Sequence, residues 1–121
     1  MNDIISDSEI RKQQALKRLG EPNPRCRICG EGDERCLEDH HIAGQAMHGE
    51  THPVCRNCHR KLSDVQRDHP AQIAACASLP EVVGHYLLGL ADMLVLVAKT
   101  LVKFATQLID MARPHATGGA Q

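Results

Sequence analysis

The chain has 121 residues, 14 basic against 15 acidic side chains and a formal charge of −1. This length fits one small domain, or a small domain with an extension, whose limited core a metal or a partner subunit would reinforce. The balanced charge gives no global electrostatic case for nucleic acid, and the near absence of aromatics (Tyr86, Phe104, no tryptophan) argues against a base-stacking platform for single strands.

The N-terminal stretch MNDIISDSEIRKQ lacks a basic segment followed by an apolar run, so no secretion signal is expected and a cytoplasmic location is. The six cysteines then read as thiols in a reducing compartment. Residues 6–20 predict a short helix, capped by Asp7 or Ser8 and ended by Gly20. The EPNP segment is a linker, because Pro22 and Pro24 oppose helix.

Residues 34–42, ERCLEDHHI, lack helical apolar spacing and predict a short strand ending near the histidine pair. A loop punctuated by Gly44 and Gly49 follows, then a second short strand over 51–55, which Pro53 confines to an edge or a strand end. CRNCHRKLSDVQRD reads as a helix with Leu62 and Val65 on a narrow apolar face. DHPAQIAACASL predicts another short helix with Pro70 at its start.

Ser78 and Glu81 match a capping box at the head of a long helical run that stops before Pro114. Leucine recurs every seven residues from Leu87 to Leu108, and alanine does so from Ala91 to Ala112. Asp92, Lys99, Thr106 and Arg113 keep the same period on the other side of the helix. A polar stripe along the whole length is wrong for a membrane span, so the segment predicts an amphipathic helix and no membrane partner. Over 82–112 it would be about 45 Å long, which suits a homodimer in which one side covers the domain and the other meets a second copy. The alternative is a helix that bends near Gly84 or Gly89 and folds back as core. The tail from residue 114 on is expected to be disordered.

Two C-x-x-C pairs, Cys26 with Cys29 and Cys55 with Cys58, carry the strongest chemical signal. Each turn aims two sulfurs at one ion, and four thiolates suit a tetrahedral structural Zn²⁺. The 25 intervening residues leave room for a hairpin. Cys36 and Cys76 lack such partners and read as ordinary reduced cysteines, with Cys36 free to lie near the site. Eight histidines, five of them between residues 40 and 59, need a purpose other than a zinc already filled by sulfur.

The pattern CRIC … LEDHHI … VCRNCHRKL over residues 26–62 resembles the HNH endonucleases, whose core is a ββα-metal fold. The resemblance implies a zinc-stapled ββα core; with the N-terminal helix and the long C-terminal helix read beside it, which carry no part of the resemblance, an α+β protein is expected. The corresponding boundaries are 1–22 for the first helix and linker, 23–69 for the zinc domain, 70–113 for the helical extension and 114–121 for the tail. It implies a metal-dependent nuclease acting on DNA, with Mg²⁺ or a similar divalent ion on His40 and His59 and His41 as general base. Imidazole titrates near pH 6.5 and can take a proton from water at neutral pH, while a divalent ion stabilises the charge that develops on phosphorus and the leaving oxygen. Some relatives use Asp-His, which would make Asp39 the ligand and His40 the base; Ile42 directly after His41 favours the first register.

The family's usual asparagine, nine residues before the last histidine, is Glu50 in this chain, with His48 and His52 close by to substitute. Arg56, Arg60 and Lys61 flank His59 at the helix start, where they are expected to hold phosphates without reading bases. The rival expectation is a non-catalytic zinc module that contacts nucleic acid or protein.

Overall fold

The computed structural model describes residues 4–72 and 77–114. The protein is α+β, and the described residues form three α-helices and a two-stranded antiparallel sheet. Helix α1 spans Asp7–Leu19. Its N-cap is Ser6, whose hydroxyl accepts from the Glu9 backbone N–H, one position before the expected cap. Ser6 is the first residue still extended, so its oxygen can reach back over the first turn. At the other end Gly20 takes the left-handed conformation (φ 76°) and donates to the Leu16 carbonyl, closing the helix as expected. Only Leu19 of α1 is buried, and Arg18 donates to the Leu37 carbonyl, so α1 rests on the sheet by its last turn.

Strand β1 (Leu37–His41) pairs with β2 (Thr51–Cys55) in a register that sets Leu37 opposite Cys55 and His40 opposite His52. Pro53 is tolerated because a two-stranded sheet has only edges. Its carbonyl accepts from Arg27, which ties the first cysteine turn to the sheet. Helix α2 (Arg56–Gln66) starts directly at Cys55, whose Sγ caps it by accepting from the Cys58 N–H. Cys58 and Leu62, one turn apart, face inward. Val65, expected on the same apolar face, is exposed, so packing along α2 ends at Leu62. The expected helix over DHPAQIAACASL falls partly on residues 73–76, outside the described residues; the flanking residues 70–72, 77 and 78 are not helical. The expectation for the tail lies outside them beyond residue 114.

Helix α3 runs unbroken from Leu79 to Ala112, about 50 Å at 1.5 Å per residue. Ser78 is its N-cap but makes no side-chain cap bond, so the expected capping box with Glu81 is not closed; proline in the first turn starts the helix instead. It does not break at Gly84 or Gly89. Its domain-facing side is His85, Gly89 and Met93, with Tyr86, Leu90, Leu96 and Val97 partly buried beside them. Gly89 is needed there, because a Cβ would run into the carbonyl of Ile42. From Leu101 to Ala112 every residue is exposed; Lys103 and Phe104 still border a cavity of the zinc domain, and the residues after them extend past it. Asp92, expected on the solvent side, is half-buried with Oδ2 2.7 Å from His69 Nε2, and so helps to hold the α2–α3 connection. Among the described residues no helix is long and apolar enough to cross a membrane.

The core joins Leu37, Ile42, Val54 and Leu62, each 1% exposed or less, to Ile28, Leu19 and Met93. It is small, and three of the four paired cysteines are buried within it.

Candidate metal centre and histidine pocket

Cys26 and Cys29 lie on the turn before the sheet, Cys55 at the end of β2 and Cys58 in the first turn of α2. The hairpin brings the two pairs together, and the four sulfurs all lie within 4.8 Å of one another. Cys29 and Cys55 Sγ are 3.7 Å apart. That matches the edge of a tetrahedron with Zn–S bonds of about 2.3 Å, so the donor set fits a structural zinc ion. Among the described residues this is the one cluster of three or more such ligands.

The thiols are not equivalent. Burial pushes Cys26 up, but backbone N–H groups of Cys29, Cys55 and Ile28 outweigh it, and its pKa falls to about 7. Burial, with the neighbouring thiols adding to it, pushes Cys58 well above the ordinary thiol range and raises Cys29 as well. Cys26 therefore ionises before Cys29 and Cys58, which release their protons when an ion takes their place. Four thiolates on Zn²⁺ leave a negatively charged centre. Lys61, Lys99 and Lys103 line the cavity that Cys29 and Cys58 border, where their ammonium groups would offset that charge with an ion bound.

The second cluster is built from histidine. His40 on β1 and His59 on α2 meet edge to face, with ring centroids 5.3 Å apart. His40 is 2% exposed, and its Nε2 has no hydrogen-bond partner among the described residues. Burial, then the neighbouring His59, His41 and His52, holds its pKa down at about 4, so its ring is neutral with a lone pair available at neutral pH. His59 Nδ1 lies 3.1 Å from Glu38 Oε1, two residues before His40 on the same face of β1, which orients the ring. His41 lines the same cavity of about 350 Å³ as His40, His59, Asp39, Ser63 and Gln66. Gln66 also donates to the His41 carbonyl, which fixes the end of β1.

Glu50, where the resemblance expects asparagine, lies near Tyr86 of α3, and its carboxylate raises the tyrosine pKa. Its carboxylate is 3.8 Å from His52 Nε2, and its backbone N–H donates to His48 Nδ1. Beside His59 lies an open groove of about 890 Å³ lined by Arg56, Arg60 and Arg67, with Glu38, Asn57, Ser63 and Asp64. Arg56 and Arg60 thus share a surface with His59. Lys61 does not: it faces the zinc cavity with the two lysines of α3. Sequence reasoning missed Glu38, Ser63 and Gln66. The period of two on β1 signals Glu38, and the helical steps from His59 to Ser63 and Gln66 signal the others. Nothing local signals Tyr86, Lys99 or Lys103.

The chain matches no protein-family model, and no curated protein or solved structure is similar enough to count as a match.

Proposed function

We propose that this protein is a metal-dependent nuclease of the HNH type that hydrolyses DNA phosphodiester bonds, its zinc site serving architecture alone. One observation carries the reading. Two histidines 19 residues apart in sequence stand ring to ring at 5.3 Å in a pocket that a third, His41, also lines. Next to it the arginine-lined groove offers phosphates a place to sit.

In this reading the neutral His40, presenting an unpartnered Nε2, and His59, steadied by Glu38, are the residues that would hold Mg²⁺ or a similar divalent ion. When bound, such an ion supplies charge stabilisation at the scissile phosphate. His41 accepts a proton from the attacking water at its free ring nitrogen, and the phosphorus–3′ oxygen bond breaks as the new bond to water oxygen forms. The products carry a 5′ phosphate and a 3′ hydroxyl. Arg56 and Arg60 position the backbone by charge-assisted hydrogen bonds and read no bases.

The test is plasmid nicking by zinc-loaded protein with Mg²⁺ or Mn²⁺, wild type against His41→Ala. The expected outcome is cleavage by the wild type and a loss on the order of 100-fold or more in the variant at equal zinc content. Equal rates in both proteins, or none in either at verified metal loading, would replace the nuclease with a non-catalytic zinc module.

A further inference from the structure

Helix α3 is apolar on two sides, and the chain itself uses only one. The side opposite the zinc domain carries a leucine every seven residues from Leu87 to Leu108 and an alanine four residues after each, from Ala91 to Ala112. The spacing alternates four and three, the a/d pattern of a coiled coil sustained over nearly four heptads. Every one of these positions is exposed, Leu94 at 59%, Leu101 at 62% and Leu108 at 65%. Valine, leucine and isoleucine flank the seam at Leu88, Val95, Val102 and Ile109, also exposed. The open apolar surface of the helix is on the order of 1,000 Å², above the roughly 300–600 Å² of the largest patch on an ordinary monomer. It matches the roughly 800 Å² that each partner brings to a stable interface.

We infer that the partner is a second copy of this chain, paired antiparallel along α3. Size complementarity sets the direction. In a parallel pair each layer matches like with like, alanine on alanine and leucine on leucine, so gaps alternate with crowding. Antiparallel, Leu87 lies opposite the partner's Ala112, Ala91 opposite the partner's Leu108, Leu94 opposite the partner's Ala105, and Ala98 opposite the partner's Leu101. Every layer then holds one large and one small residue, and the alanines let the backbones approach closely.

The register also accounts for the length of the helix. Residues 105–112, exposed and beyond the last α3 residues that line the zinc cavity, lie along residues 87–94 of the second copy, whose other side carries its zinc domain. The contact is its own mirror under a two-fold axis near residues 98–101, so the assembly closes at two copies with a domain on each outer flank. This assembly stands independently of the nuclease reading.

Light scattering on the full zinc-loaded chain at tens of micromolar should give twice the 13.3 kDa chain mass. Leu101→Glu should give the single mass with its zinc retained, whereas Gln107→Glu, exposed, off the seam and away from the zinc cavity, should keep the double mass. A benzophenone amino acid at position 87 should cross-link to the tryptic peptide of residues 104–121, which trypsin leaves whole because Pro114 follows Arg113. A single mass for the wild type, a mass above two chains, or an unchanged Leu101→Glu would overturn the dimer. Cross-links from position 87 to the peptide of residues 68–99 would overturn the antiparallel direction.

Discussion

Gly89 of α3 lies against the carbonyl of Ile42, the residue that follows the histidine pair. This contact between the long helix and the zinc domain sits one residue from His41. Gly89→Ala should therefore push α3 off the end of β1 and cost about 2 kcal/mol by overpacking. Gly84→Ala, where a Cβ meets nothing within 4 Å, should stabilise the helix by up to about 1 kcal/mol. Chemical denaturation of the two variants beside wild type measures both; equal effects would mean that the contact does not constrain the helix.

The sulfur and imidazole sites should separate in a melting experiment. Cys58→Ser removes a buried ligand from a core too small to stand alone, and structural zinc is worth on the order of 10 kcal/mol in domains of this size. The variant should lose its zinc and its cooperative melt, as should wild type treated with a strong chelator. His40→Ala should keep one zinc per chain and a cooperative transition lowered by only a few degrees. Metal content by atomic emission, read with the melt, decides whether the two sites are independent.

Zinc affinity should rise with pH. Cys29 and Cys58 have thiol pKa values raised by burial, so each must give up a proton to bind the ion. Lowering the pH restores those protons and competes with the metal, while Cys26, already down at about 7, contributes less to the slope. Competition with a chromophoric chelator from pH 6 to pH 8 should show a slope of more than one proton released per zinc. A pH-independent affinity would mean that the thiols are already ionised in the metal-free fold.

His40 should make the fold acid-sensitive in a window set by its own titration. Its pKa is about 4 when folded and near 6.5 in an unfolded chain. Below pH 6.5 the unfolded state takes up a proton that the folded state refuses, so stability falls as pH drops and the loss is complete near pH 4. The full effect is on the order of 3 kcal/mol. His40→Gln removes the titration, so the stability gap between variant and wild type should change by that amount across the window. Denaturation curves at pH 7, 5.5 and 4.5 measure it; a constant gap would place the acid sensitivity elsewhere.

Residues themselves announced the four-cysteine cluster, the strand that ends on the histidine pair, the helix that starts in the second C-x-x-C, and the long amphipathic helix. These signals are local. Two turns that each present two sulfurs, a period of two, a period of 3.6 and a glycine able to adopt positive φ all act within a few residues. Caps were less legible: Ser6 displaced Asp7 and Ser8, and Ser78 left its side chain unused, because a cap depends on which residue is last to be extended.

What the tertiary structure alone decided is which side of each helix meets what. The leucine repeat and the Met93 side of α3 are both apolar, and no periodicity says which one docks. The approach of Gly89 to Ile42 settles it, turning the leucines outward and bringing Lys99 and Lys103 to the zinc cavity and Tyr86 to Glu50. The same holds for Lys61, one residue from Arg60 yet on another surface, since a step of about 100° along a helix is enough to change neighbours. Spacing along the chain determines local geometry; contacts between distant segments depend on how closely two backbones can approach, and that is a property of the packed whole.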